Sequence, residues 1–344
     1  MTRQVVKKVP GARKATLPNF IAPQLATLVK EPPPGDEWLH ELKFDGYRML
    51  CWIDRGKVRF WSRNGKDWTA KFPGIAEAVK SLPVTSAIID GEIVVVDAQG
   101  RSSFQKLQRA MGKSVNASLV YEVFDLIYLD GFNLTKTPLR QRKLLLKNLC
   151  NSLPGRGPLR YSEHLEGNGD AFFRHACEYG IEGIVSKLAD SPYDSARNRN
   201  WLKVKCNKQQ EFVIAGYTPS AKGLPGFGSL ILGVYEKSKL VYAGRVGTGF
   251  TFQQRSELQK QLDKFSRETS PFAITSKDPG LRKAHWTEPK LIAEVAFTEW
   301  TSDGSIRHPS FQGLREDKSP QEVLREVPSN SAKARKRNQK YERS

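Results

Sequence analysis

After Asn207-Lys208-Gln209-Gln210 the sequence changes texture, and this break constrains the fold more than any single motif. Upstream, apolar β-rich runs ("WLHELKF", "AIIDGEIVVV", "LVYEVFDLIYL", "GIVSK", "WLKVKC") alternate with helix-forming ones ("TPLRQRKLLLKNL", "GDAFFRHACEY"). Downstream come shorter strands punctuated by glycine ("FVIAGYTPS", "SLILGVYEKSKLVYAGRVGTGF", "LIAEVAFTEW") around one helical stretch, "TFQQRSELQKQLDKF". Short strands with turn signals at close intervals predict a small β-barrel, and its basic character and size suit an OB-fold. The boundary falls near residues 207 to 211. The expected organisation is a basic flexible arm over 1–17, a mixed α+β domain over 18–208, the barrel over 209–328 and a basic disordered tail over 329–344. With 39% hydrophobic residues in 344, two separate cores can be filled. Thr137 is placed to N-cap the first of the two upstream helices, with Pro138 at its first position, and Gly180 stands at the C′ position of the second.

Fifty-five Lys and Arg against thirty-six Asp and Glu leave a formal net charge of +19, which favours a polyanionic partner, nucleic acid above all. The tail either carries solvated charge or touches a nucleic-acid backbone. Four cysteines (Cys51, Cys150, Cys177, Cys206) stand far apart without a CxxC pair, so neither a zinc site nor a disulfide framework is expected, only buried free thiols. No apolar run approaches the roughly 18 residues of a membrane span, and the N-terminus lacks the apolar centre of a signal peptide. The expected location is the bacterial cytoplasm or nucleoid.

One lysine has unusual surroundings. In "HELKFDGYR" strand alternation puts Glu41 and Lys43 on one face and Phe44 on the other, and Asp45-Gly46 permits a tight turn that leaves a carboxylate near the ammonium. A lysine whose neutral form is favoured by burial or nearby cations is a nucleophile. "SRNGKDW" sets Arg63 before an Asn64-Gly65 turn, and "DGEIVVVD" opens an apolar strand with Glu92, an acid that needs a partner there. Phe124 in "EVFDLIYLDG" is either core packing or a platform for a flat base. "IEGIVSK" carries Glu182 and Lys187 at its two ends, and in "WLKVKC" Lys203 and Lys205 share a face opposite Leu202 and Val204. An amine nucleophile, carboxylates Asp45, Glu92 and Glu182 for a hard divalent ion, and cations Arg48, Arg63, Lys187, Lys203 and Lys205 for phosphates form the inventory of nucleotidyl transfer. No Walker-type GxxxxGK[ST] is present, consistent with direct attack on an α-phosphate.

In order along the chain, "KFDGYR" (43–48), "SRNG" (62–65), "VFDLIYLDG" (123–131), "EGIVSK" (182–187), "WLKVK" (201–205) and "RHPSFQGLREDK" (307–318) resemble the motif set of the covalent nucleotidyltransferases. The lead-in "PQLATLV" and the last of the six most resemble the ligase module of bacterial ATP-dependent DNA ligase D. Ala196-Arg197-Asn198 stands where that family commonly has Gly-Arg-Ser. The resemblance implies a nucleotidyltransferase (adenylation) domain followed by an OB-fold barrel, and a monomer. It implies that Lys43 attacks ATP to form lysyl-AMP, that Glu41 accepts from the adenine amino group and that Phe124 stacks on the ring. Arg48 and Arg63 would hold ribose and phosphate, Lys187, Lys203 and Lys205 the α-phosphate, and Glu92 and Glu182, helped by Asp45, Mg²⁺ or Mn²⁺. Arg307, Arg315, Asp317 and Lys318 would orient the leaving pyrophosphate when the barrel closes about a hinge near 206–211. The implied partners are double-stranded DNA with nicks or ends and a Ku-like end-binding protein. An RNA ligase or capping guanylyltransferase shares the lysine motif, and a non-catalytic DNA-binding module would share the charge but has no use for Asp45, Glu92 and Glu182.

Overall fold

The structure, a computed structural model, describes residues 3–112, 119–153, 157–220, 226–274 and 278–329. The chain divides into two compact units, Met1–Cys206 with Pro328–Ser344, and Asn207–Val327. In the first unit the strands are β1 (Arg13–Lys14), β2 (Leu25–Leu28), β3 (Trp38–Leu42), β4 (Tyr47–Asp54), β5 (Lys57–Ser62), β6 (Ser86–Val95), β7 (Leu119–Leu129), β8 (Phe132–Asn133), β9 (Leu159–Tyr161), β10 (His164–Glu166), β11 (Gly183–Leu188) and β12 (Arg197–Lys205). Its helices are α1 (Arg3–Lys7), α2 (Pro73–Lys80), α3 (Phe104–Gly112), α4 (Leu139–Cys150) and α5 (Gly169–Glu178).

Two sheets result. One runs β1-β8-β7-β6-β4-β5, with β9 joining β7 in parallel, and the other runs β10-β3-β11-β12-β2, antiparallel except for β12 against β2. Alternation sorts the first sheet's side chains into two sets. Met49, Cys51, Ile89, Ile93, Tyr121 and Val123 enter one core with Phe72 and Val79 of the α2 region and Leu145, Leu146 and Leu149 of α4. Leu50, Ile88 and Phe124 point the other way and meet Trp201 of β12. Leu202 and Val204 of β12 pack with Ala176, Phe172 and Phe173 of α5. The α+β fold with mixed and antiparallel sheets is as expected.

The second unit is a β domain. Strands β13 (Gln209–Pro219), β14 (Phe227–Glu236), β15 (Lys239–Val246), β16 (Ser266–Arg267), β17 (His285–Thr287), β18 (Ile292–Ala296) and β21 (Ser310–Arg315) form one sheet, while β19 (Glu299–Trp300) and β20 (Ile306–Arg307) form a separate pair. Helix α6 (Phe252–Asp263) begins with a capping box in which Thr251 and Gln254 bond each other's backbone. The domain is OB-like, with Phe212, Ile214, Leu230, Leu232 and Val295 at its centre.

Three expectations are corrected. Residues 3–14 are not a loose arm, because Arg3–Lys7 is helical, Val6 is buried in the first core and β1 pairs with β8. Thr137 is not an N-cap, since Pro138 occupies that position and the Thr137 hydroxyl is buried without a partner. Cys177 and Cys206 are not free thiols but a disulfide joining the end of α5 to the residue after β12; Cys51 and Cys150 are free. Gly46 stands just before β4. It is glycine because an added Cβ would lie 2.2 Å from the Ile93 carbonyl oxygen. In the tail, Ser329 bridges to Val29, and 330–344 lie outside the described residues. Among the described residues no helix is long and apolar enough to cross a membrane.

Candidate active site

The two sheets of the first unit face each other across a cavity of about 770 Å³, including its open mouth, lined among others by Glu41, Lys43, Arg48, Arg63, Glu92, Phe124, Val185, Lys187, Arg197, Trp201 and Lys203. The fold thus brings together eight of the residues singled out in the first-unit sequence, Glu41, Lys43, Arg48, Arg63, Glu92, Phe124, Lys187 and Lys203. Lys43 lies just past the end of β3, where its amide donates to the Gly183 carbonyl at 2.9 Å. Its side chain is one-fifth exposed, and its ammonium donates to Glu182 Oε2. Burial alone would raise the Glu182 carboxyl, but the ammoniums of Lys43, Lys205 and Lys203 outweigh it and hold the group below the usual carboxylate range. On β12, Trp201 and Lys203 face the cavity while Leu202 and Val204 face the outer core, as the alternation required.

Phe124 owes its place to a bulge. Asp90 on β6 opposes Asp125, whereas Gly91 opposes Val123, so Phe124 is the extra residue on β7 and turns toward the cavity. Gly91 permits the tight approach, because a Cβ there would sit 2.5 Å from the Tyr121 ring. Asp125 is pinned by Arg142 of α4, whose Nε and Nη2 donate to its two oxygens at 2.7 and 2.9 Å with both residues fully buried.

Below the cavity lies a second charged layer. Glu41, 2% exposed, accepts from Lys187 Nζ on Oε2 at 2.8 Å and from Lys143 Nζ on Oε1 at 2.7 Å. Burial would raise its carboxyl, but these two ammoniums reverse the shift and keep it ionised. Lys187 itself, buried against Glu41 with its Nζ 4.1 and 4.3 Å from the Phe124 and Trp201 ring centroids, is driven by burial down to about 8. It therefore sits at the base of the cavity with Glu41, where sequence reasoning had grouped it with Lys203 and Lys205. Arg48 donates through Nε and Nη2 to Asp90 at 3.0 and 2.6 Å and through Nη1 to the Gln24 carbonyl; burial would weaken its hold on the proton, but Asp90 more than restores it.

Arg63 follows β5 at a turn in which the Gly65 amide donates to the Ser62 carbonyl. Asp45, expected beside the Lys43 amine, accepts from the Phe104 amide at 3.0 Å and so secures the start of α3. Among the described residues no group of three or more Asp, Glu, His or Cys forms a ready-made cation cage. In the second unit, Arg307 pairs with Glu299 at 3.0 Å in solvent, Arg315 makes two bonds to Asp317 at 2.9 and 2.8 Å, and Lys318 bonds Glu211.

Sequence reasoning missed Lys143, Asp90, Arg142, Arg197 and Trp201 as parts of this assembly. A signal for two of them existed: Arg142 and Lys143 fall three and four residues after Leu139, within the stripe that continues through Leu146 and Leu149, so cations occupied core positions of α4.

Residues 21–205 match the family described as ATP dependent DNA ligase domain, and residues 224–318 match that described as ATP dependent DNA ligase C terminal region. A multifunctional non-homologous end joining protein LigD from Pseudomonas aeruginosa is 39% identical over 321 residues, 92% of this chain and 38% of that protein. The multifunctional non-homologous end joining DNA repair protein LigD of Mycobacterium tuberculosis is 36% identical over 309 residues, 89% of this chain and 40% of that protein. The chain thus spans about two fifths of the length of these curated relatives. A solved mycobacterial DNA ligase D complexed with ATP and MES is similar with a TM-score of 0.65 at 35% identity, covering 89% of this chain and 98% of that one.

Proposed function

The chain belongs to the ATP-dependent DNA ligases, and from this premise we propose that it seals 5′-phosphate/3′-hydroxyl breaks in duplex DNA through a lysyl-AMP at Lys43, in double-strand break repair alongside a Ku-like end-binding protein. The observation that carries the reading is the Lys43 ammonium on Glu182 at a cavity that is also lined by an ionised carboxylate, Glu41, and by the Phe124 ring. Adenine suits such a lining, since Glu41 can accept from its exocyclic amine and Phe124 can cover its face. The triphosphate then runs toward Lys43, Lys203 and Arg63.

Lys43 Nζ sheds a proton and attacks the α-phosphorus; a nitrogen–phosphorus bond forms, the bond to the β-phosphate oxygen breaks and pyrophosphate leaves. Lys203 and Lys205 offset the negative charge that develops on the α-phosphate oxygens. Glu92 and Glu182 suit a hard cation that keeps several waters and completes its shell with substrate phosphates, which needs one or two carboxylates rather than a cage. Bound there, Mg²⁺ or Mn²⁺ would supply further charge neutralisation at the phosphates. AMP next passes to the 5′-phosphate at the break, and the 3′-hydroxyl displaces it to join the strand. The net charge of +19 supports a grip on duplex backbone without regard to sequence.

The test is to incubate the protein and its Lys43→Ala variant with α-labelled ATP and a divalent metal, then chase with nicked duplex DNA. Acid-labile, amine-linked label on the wild type alone, discharged by nicked DNA with strand joining, is expected. Equal labelling of the variant, or label that DNA does not discharge, would sink the reading.

A further inference from the structure

Lys143 belongs to none of the six motifs and lines no part of the cavity, yet it reaches the residue that would read the base. It projects from α4 with 1% of its side chain exposed, and its Nζ lies 2.7 Å from Glu41 Oε1, 3.0 Å from the Ser162 carbonyl oxygen and 4.6 Å from the Tyr161 ring centroid. The other oxygen, Oε2, accepts from Lys187 at 2.8 Å and from the Ser162 hydroxyl at 3.3 Å. An ionised carboxylate has about four lone-pair sites. These contacts take three of them: both on Oε2 and one on Oε1.

The remaining site is on Oε1, the oxygen Lys143 holds. A carboxylate can present that lone pair to a base only while it is ionised and held from rotating. Protonated, it would offer a donor; rotated, it would offer an atom whose lone pairs are spent. Position 6 of a purine distinguishes these states, because adenine carries a donor amine there, and guanine or hypoxanthine an acceptor oxygen. We propose that Lys143 is a positioning residue for nucleotide choice, fixing Glu41 as an oriented, acceptor-only carboxylate that selects a purine with a 6-amino group. The proposal rests on the reading of Glu41 as the adenine contact. Lys187 alone cannot serve this purpose, since it fills the other oxygen and leaves Oε1 free to turn.

The experiment measures lysyl-AMP formation with ATP, with inosine triphosphate and with purine riboside triphosphate, which lacks any 6-substituent, in wild type, Lys143→Met and Lys143→Gln. Wild type should favour ATP over the unsubstituted analogue by on the order of 10- to 100-fold in kcat/KM, the worth of one hydrogen bond to a charged acceptor. In Lys143→Met the ratio should contract toward unity, mainly through a raised KM for ATP, while rates with the unsubstituted analogue change little. Lys143→Gln, which retains a donor without the charge, should lie between them, and it carries the test if the methionine variant does not fold. A folded variant that keeps the wild-type ratio while slowing all three nucleotides equally would overturn the proposal in favour of a purely structural role. A wild type that does not discriminate at all would instead overturn the reading of Glu41 itself, and absence of label on the wild type would overturn the ligase reading.

Discussion

Replacing Arg142 by methionine isolates how the core of the first unit supports its site. The guanidinium makes two bonds to Asp125 at 2.7 and 2.9 Å and two to the Thr137 and Ser191 carbonyls at 2.5 and 3.1 Å, and both charged partners are fully buried. Removing it strands a carboxylate without a counter-charge, a change that typically costs about 3–5 kcal/mol. For a unit near 200 residues each kcal/mol shifts the melting temperature by roughly 2–4 °C, so thermal unfolding followed by circular dichroism should fall by about 6–20 °C. Adding Asp125→Asn removes the stranded charge while leaving an oxygen for the Leu126 amide, which Asp125 now accepts at 2.8 Å. The double variant should therefore recover at least about half of the loss. Because Asp125 adjoins the bulged Phe124, the single variant should also label poorly with ATP well below its own melting point. A single variant within about 1 kcal/mol of wild type, or a double variant no better than the single, would refute the argument that a paired buried charge holds the bulge.

His40 is fully buried with Nδ1 2.8 Å from the Ser186 hydroxyl, and burial lowers its imidazole below 6.5, outweighing the opposing pull of Asp170. As pH falls below 6.5 the unfolded chain gains a proton that the folded chain refuses, so stability should drop by up to about 1.4 kcal/mol per pH unit from this group. Denaturant titrations at pH 5.5 and 7.5 should show that increment in wild type and its loss in His40→Gln; an unchanged increment assigns the slope to other groups. The Cys177–Cys206 bond closes a loop with a sequence separation of 29, worth ~3.5 kcal/mol on chain-entropy grounds. Cys177→Ser and reductant should each lower the melting temperature of oxidised protein without adding to one another, and additive losses would contradict a single shared bond.

Strand alternation was the most legible feature. Lys203 lines the cavity and Leu202 and Val204 lie behind it because β12 keeps its period from Trp201 to Lys205, where it pairs regularly with β11, and α6 falls on the stretch read as helical. Phe124 was ambiguous because a bulge breaks the period on which any face assignment rests. The bond from the Phe104 amide to Asp45 was not legible, because the segment that supplies it is 59 residues away in sequence. The disulfide was invisible for a related reason: spacing says nothing of two cysteines brought together by the meeting of a helix end and a strand end.

The buried charge under the cavity has a common logic. Arg48 with Asp90, Arg142 with Asp125, and Lys143 and Lys187 with Glu41 bring seven ionisable groups into surroundings that water hardly reaches. Well-packed apolar residues of equal volume would give similar or greater stability, so stability does not account for them. Positioning does. Each set fixes one face of the cavity: Arg48 lies 5.4 and 5.3 Å from the Phe124 and Trp201 ring centroids, Arg142 holds the residue after the bulge, and Lys143 holds the carboxylate beneath it. Two of the three cations that do this are consecutive residues of α4, which contributes no atom to the cavity wall. Substitutions at Arg142 and Lys143 should thus alter which nucleotide is accepted and how tightly, whereas those at Lys43, Lys203 and Glu182 should alter the chemical step with every nucleotide alike. That division follows from where each charge points, and it makes α4 part of the site although no motif includes it.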